Sequence, residues 1–525
     1  MRSRPPADES PDPGPAVAGA ADPRPLPGPR RAARAGFSFL RRAAPPLDLP
    51  ILGRTLLHAA LVGGAAGLVG AGFFASLEVA QRGLLAGLAG YAPLRAFGET
   101  FLKEGAAGPP RLLVLALLPA AGGLLSGVLT TWLAPEAAGG GGDAIIHAYH
   151  HGGRVRRRVL WVKWLAALGT LASGGSGGRE GPTMQIGGAI GALVGRALPA
   201  TRRERRILLV AGIAAGISAV FRTPLGAALL AVELLYRDDF EAEALVPAVL
   251  SSVIAYSVVI ALYGETTLFG RLQPFPFVPA HLPLYALLAV ATAVGASAFV
   301  RALRLAQGAA ARLPGPEWAR PALGGLAMGT LGAMVAWRLG ARYGPEAARL
   351  GVFGGGYGVA QAALTGHRGL PGGWELVALL LLLCAAKLVA SALTIGSGAA
   401  AGDFAPSLVV GGLLGSAFGH AAALLVRDPR LDPAAFALVG MGTFYGGVAH
   451  APLAALVLVA ELAGSYDLLV PMMLAVSVAL VALRGVSLYP AQPENKAGAP
   501  DLRRAARWRS AQGWKPPRLR GVRRR

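Results

Sequence analysis

Between Ile51 and Arg484 the chain alternates long apolar stretches with short polar breaks. The stretches include LLHAALVGGAAGLVGAGFFASL (56–77), LLVLALLPAAGGLLSGVLTTWLA (112–134), ILLVAGIAAGISAVF (207–221), LVPAVLSSVIAYSVVIALYG (245–264), LYALLAVATAVGASAFV (284–300) and WELVALLLLLCAAKLVASALTIG (374–396). A helix needs about 20 apolar residues to cross a hydrocarbon core of roughly 30 Å. Some of these runs meet that length; others are shorter, or are cut by Gly and Pro. Non-helical backbone at membrane depth survives only where protein buries it or where it lines a cavity, so the broken runs predict a transporter or channel architecture.

Composition agrees. Hydrophobic residues make up 54% of the 525 and charged residues only 15%, against about 25% in soluble domains. The net charge of +22 is placed at the ends: residues 501–525 carry ten Lys or Arg against Asp501, and residues 1–50 are rich in Arg and Pro. Basic flanks mark the cytoplasmic side and favour anionic headgroups, so the partner is a lipid bilayer and not nucleic acid, with both termini in the cytoplasm. The expected organisation is a disordered Pro/Arg-rich tail over 1–50, a transmembrane region over 51–490, and a basic tail over 491–525 that is too short for a regulatory domain. No short apolar run follows the first arginines, so residues 1–50 are expected to be a tail rather than a cleavable signal. Cys384, the single cysteine, lies in an apolar run and suits packing.

Aligned with itself, the chain repeats. At an offset of 224, Lys163 pairs with Lys387, Ser173-Gly174 with Ser397-Gly398, Gly178 with Gly402, Pro182 with Pro406, and Gly187-Gly188 with Gly411-Gly412. At 228, TPLGAALLAVEL (223–234) pairs with APLAALVLVAEL (451–462), including Glu233 with Glu461. The copies span about 100–265 and about 320–490. RVRRR (154–158) and RRERR (202–206) bracket the first copy's Gly-rich motif, whereas PGGWELVALL (371–380) and VRDPRLD (426–432) bracket the second's. By the positive-inside rule the copies are inverted, and a duplicated membrane unit places its binding site where the copies meet.

In each copy a Gly-rich stretch ends in Pro and runs into a helical pattern: GREGP (178–182) and GDFAP (402–406). Proline fits a first helical turn, glycine lets backbone N–H groups crowd toward a ligand, and a helix start offers unpaired donors with the positive end of the macrodipole. Each turn is therefore an anion site. GGGGDAII (139–146) is a third candidate, either a helix start or a plain loop; it lacks the Lys-Ser/Thr of a phosphate-binding loop. Glu180 is either a carboxylate stabilising its own helix or an acid that competes with a permeant anion when charged and withdraws when protonated.

GREGP (178–182) and GDFAP (402–406), in order and at matching repeat positions, resemble the CLC family of chloride channels and proton-coupled chloride transporters over roughly 51–490. The resemblance implies an all-α polytopic fold of two inverted repeats of short, broken and tilted helices, a homodimer with one pore per subunit, a multi-pass place in a cell or inner membrane, and transport of chloride or a similar small anion with protons. Carried over, Glu180 is the gating glutamate. The backbone N–H groups of Asp403 and Phe404 and the hydroxyl of Tyr489, in GVSLYPA (485–491), hold the central anion. With Gly140, Gly141, Arg179 and Gly181 these residues form the expected anion site. Two departures stand out. The family's GSGxP serine is replaced by glycine, assigned to Gly140, which leaves preference open among chloride, nitrate and fluoride. Leu234 stands where proton-coupled members commonly carry an internal proton-transfer glutamate, so the resemblance favours an antiporter and leaves a passive channel as the alternative.

Other polar positions stay open. HAYHH (147–151) sets His147, His150 and His151 on one helical face, a membrane-edge cluster or a zinc site. Lys163 and Lys387 either raise the potential along the anion path or satisfy helix-end carbonyls. Glu233 and Glu461 suit partners from the backbone or Arg. The chain holds no catalytic constellation and no dinucleotide loop; it is expected to be no enzyme and to need neither cofactor nor metal.

Overall fold

The computed structural model describes residues 49–102, 108–270, 272–367 and 370–500. The expected tails fall outside these bounds apart from 49–50 and 491–500. Residues 491–500 pack on the helical body: Gln492 donates to the carbonyls of Leu234 (2.8 Å) and Ala449 (3.0 Å), and Asp238 N–H donates to Glu494 O at 2.8 Å.

Among the described residues the chain forms 17 α-helices and no strand beyond one isolated bridge. They are α1 (Leu49–Gln81), α2 (Leu112–Leu133), α3 (Gly142–His150), α4 (Arg157–Ala172), α5 (Glu180–Ala197), α6 (Arg202–Phe221), α7 (Pro224–Glu233), α8 (Ala242–Tyr263) and α9 (Leu282–Arg312). The remainder are α10 (Arg320–Tyr343), α11 (Pro345–Ala348), α12 (Tyr357–Thr365), α13 (Gly373–Gly396), α14 (Phe404–Val426), α15 (Pro433–Ala449), α16 (Pro452–Ala463) and α17 (Leu469–Ala482). Seven described helices are long and apolar enough to cross a membrane, and α7, α15, α16 and α17 are apolar but shorter. Leu113, Trp161, Val294 and Val481 stand exposed on the helical body. A surface that meets lipid tails leaves such side chains outward without cost.

The duplication is built into the packing. Helix α5 lies along α6 and α14 along α15, each pair at glycine contacts. A Cβ on Gly191 would stand 2.0 Å from Leu208 O, and one on Gly415 2.2 Å from Phe436 O. Small residues let helix backbones approach and gain dispersion contacts that lipid cannot supply. Arg222 and His450, one residue ahead of the TPLG and APLA segments, both take left-handed backbone (φ 59° and 54°). Each copy also caps the other. The Glu233 carboxylate accepts from the N–H groups of Leu453 (3.2 Å) and Ala454 (2.7 Å) at the start of α16. Glu461 accepts from Leu225 (3.2 Å) and Gly226 (2.8 Å) at the start of α7. Both glutamates thus have backbone partners, which satisfies donors a helix start leaves orphaned.

The buried lysines do the same for carbonyls. Lys163 Nζ donates to Ala137 O (3.0 Å) and Gly139 O (2.7 Å), ahead of α3. Lys387 Nζ donates to Val352 O (3.2 Å), Gly354 O (2.6 Å) and Ser176 Oγ (2.9 Å), ahead of α12. Gly141 and Gly356, which open those helices, are both left-handed (φ 90° and 86°). The glycine run GVFGGGYG (351–358) is therefore the second copy's counterpart of GGGGDAII, a pairing the sequence comparison did not reach. Cys384 is buried, its Sγ 3.6 Å from Val410 O.

Candidate functional site

The starts of α3, α5 and α14 meet where glycine alone fits. Gly178 and Gly402 exchange backbone hydrogen bonds of 2.7 Å in each direction, in antiparallel sense, so the two motifs run oppositely as inverted copies require. A Cβ on Gly181 would lie 2.0 Å from Gly140 O and 2.8 Å from Gly402 Cα. One on Gly142 would lie 2.6 Å from the Tyr489 ring. GGGGDAII is a helix start, with Gly141 just before the first helical residue. Three sets of unpaired N–H groups and three positive helix ends are brought together inside the protein.

Glu180, 1% exposed, opens α5. Its Oε1 accepts from the hydroxyl of Tyr357, the first residue of α12. Its Oε2 has no hydrogen-bond partner. The carboxylate of one copy is thus bound by the residue that opens a helix of the other. Phe221, Phe404 and Tyr445 wall this region; Phe404 packs at 5.1 Å on Phe221 and 4.4 Å on Tyr445. The Arg179 guanidinium turns elsewhere, donating to Glu99 O at 3.2 Å and lying 4.7 Å from the centre of the Phe74 ring. Glu78, Gln81, Glu99, Arg179 and Tyr357 line a small pocket there.

A separate cavity of about 470 Å³ is lined among others by Gly140, Gly141, Asp143, Arg304, Asp403 and Tyr489. Tyr489 is 1% exposed, not an interfacial aromatic, and donates its hydroxyl to Asp403 Oδ1 at 3.0 Å. The hydroxyl that the family resemblance assigns to an anion is engaged with a carboxylate, because Asp403 brings an acceptor into its reach. Sequence reasoning did not single out Tyr357, Tyr445 or the side chain of Asp403, which the fold places against Glu180, Phe404 and Tyr489; the glycine run ahead of Tyr357 is the available signal.

The histidines do not converge. His147 and His151 stack at 3.9 Å, while His150 is buried with Nε2 2.9 Å from Leu235 O. Among the described residues no group of His, Cys, Asp and Glu could hold a metal. On a connecting loop, Arg156 binds the Glu136 carboxylate through two N–H groups and holds it below the usual range.

Residues 122–484 match the family described as voltage gated chloride channel. A putative chloride channel protein, ClcB-like, from Ralstonia nicotianae is 33% identical over 365 residues, 68% of this chain and 80% of that protein. An H(+)/Cl(-) exchange transporter, ClcA, from Salmonella agona is 36% identical over 322 residues, 60% of this chain and 64% of the transporter, so the match spans less than two thirds of that relative's length. Among solved structures, a slow cyanobacterial Cl-/H+ antiporter aligns with a TM-score of 0.67 at 25% identity, covering 87% of this chain and 98% of that one. A CLC-type fluoride/proton antiporter shares the fold with the same TM-score at 21% identity, covering 85% and 98%.

Proposed function

The chain belongs to the voltage gated chloride channel family, and from that premise we propose that it exchanges chloride for protons across a membrane, with Glu180 as the gate. One observation carries the reading: the buried Glu180 carboxylate, at the start of α5, is tied to the hydroxyl of Tyr357, the first residue of a helix of the opposite copy. A site that accepts a carboxylate from its own chain accepts a small anion on the same terms, because the N–H groups and aligned peptide dipoles that favour one favour the other. An anion entering from water exchanges its hydration for these donors and displaces the carboxylate. Protonation removes the charge that made Glu180 a rival, and its unpaired Oε2 is the oxygen open to that proton.

Backbone N–H groups of Asp403 and Phe404, the glycine turns at Gly140, Gly141 and Gly181, and the Tyr489 hydroxyl complete the anion path; Arg179 contributes backbone. The exchanging partner is inferred from the relatives named as exchangers. The proposal includes two paired subunits, an inner-membrane location and cytoplasmic termini, the last from the basic flanks.

Leu234 favours a second reading, a passive anion channel. It is 1% exposed, and leucine cannot relay a proton. Reconstituted vesicles with a chloride gradient and a recorded pH separate the two. Chloride-driven uphill proton movement supports exchange; rapid chloride flux with no proton movement supports the channel.

A further inference from the structure

We propose that Asp403 is a second gate, on the inner side of the anion path: its carboxylate, while charged, fills the place between Tyr489 and Gly140 that an anion must take, and a proton from the inner cavity releases it. The inference deepens the proposed function and rests on it.

Four observations carry it. Oδ1 accepts from the Tyr489 hydroxyl at 3.0 Å; a phenol has one hydrogen to give, so it cannot serve an anion at the same time. Oδ2 lies 2.9 Å from where a Cβ on Gly140 would stand, so the carboxylate uses the room that glycine leaves. Asp403 is the residue before α14, where an Asp side chain ordinarily accepts from the N2 or N3 amide, yet it makes no such cap. Folding of the turn does not account for the acid. Finally, Asp403 and Tyr489 line the cavity of about 470 Å³, which gives protons and anions a common approach.

The charged and titratable groups around Asp403 come from several elements. Lys163, on α4, sits behind the loop on the carbonyls of Ala137 and Gly139. Asp143, on α3, adds a second negative charge; its Oδ1 accepts from Ala491 N–H at 2.7 Å. Tyr489 is in contact, and Tyr445 lies on α15 against Phe404. Across the cavity are Glu136, held by Arg156, and His147 and Arg304, the last donating to Ser487 O at 3.2 Å. Glu180 lies at the other end of the path. In the inward step a cavity water delivers H⁺ to Asp403 Oδ2. The neutral acid no longer repels an incoming anion, and its new O–H becomes a donor toward it. When the anion leaves, the proton returns to the cavity.

The test is chloride binding by calorimetry to the purified full chain, in a Glu180→Gln background that removes the outer acid. We expect Glu180→Gln protein to bind chloride at least about tenfold more tightly at pH 5 than at pH 7.5, since binding linked to one proton changes up to tenfold per pH unit. Adding Asp403→Asn should hold the tighter affinity at both pH values. Adding Gly140→Ala instead, which sets a Cβ 2.9 Å from Oδ2 and pushes the carboxylate aside without adding a donor, should raise affinity at pH 7.5, and carries the test should Asp403→Asn not purify as a single species. An unchanged pH dependence in the Asp403→Asn protein, or no gain with Gly140→Ala, overturns the inner gate while leaving transport standing. Wild-type protein that neither binds nor carries chloride, bromide, nitrate or fluoride overturns both.

Discussion

Tyr357 donates its hydroxyl hydrogen to Oε1 of Glu180, tying the first residue of α12 to the first residue of α5. The donor belongs to the second copy and the acceptor to the first, so the bond spans the seam of the duplication. A hydrogen bond donated to a carboxylate favours its charged form and is worth about 1.5–3 kcal/mol.

Tyr357→Phe should therefore loosen the gate. The phenyl ring keeps the packing against Phe221 (6.2 Å between ring centres) and removes only the donor. Chloride flux in vesicles is expected to switch on at a pH higher by about one unit, which corresponds to about 1.4 kcal/mol. A curve superimposable on wild type would remove Tyr357 from the account.

Gly181→Ala should abolish flux. Its Cβ would meet Gly140 O at 2.0 Å and Gly402 Cα at 2.8 Å, backbone on both sides, so the helix starts must part. Gly64→Ala in α1, with nothing within 4 Å of the new Cβ, is the matched control and should transport normally. Vesicle flux of the two variants checks this.

Glu233→Ala and Glu461→Ala should each cost about 2 kcal/mol of stability, because each strands two helix-start N–H groups. Thermal unfolding of detergent-purified protein reads the loss. The double variant should be close to the sum of the two, since each carboxylate serves separate donors.

Asp428 lies in the loop between α14 and α15. The side chain and backbone of Arg430, and then His281, hold its carboxyl well below the usual range. A depressed folded value gives stability that is present above the unfolded value near 3.9 and is lost as pH falls toward the folded one. Asp428→Asn should therefore lower the midpoint of thermal unfolding at pH 6 and close the gap to wild type as pH drops below about 4.

Much of this was legible beforehand. Matched Lys, Pro and Glu positions located the repeat, and Pro after glycine located the starts of α5 and α14, because few residues tolerate those backbone demands. Glu180 stood out as an acid in an apolar, glycine-rich setting. Less visible was whatever depends on side-chain direction across the seam. The 215-residue offset linking Gly141 with Gly356 differs from that of the main motifs, since the intervening loops differ in length, so the match was hidden. The motif assigns Asp403 a backbone role alone, because a motif fixes where the chain runs and not where a carboxylate points. HAYHH shared a helical face on paper, yet His150 turned inward to a carbonyl.

The most direct measurement is anomalous diffraction from crystals of the Glu180→Gln variant grown in bromide. At pH 5, where Asp403 is protonated, a bromide peak is expected where α3, α5 and α14 meet, within hydrogen-bonding distance of the Phe404 N–H. A variant that carries bromide in vesicles, yet shows no peak at that meeting point, would contradict it.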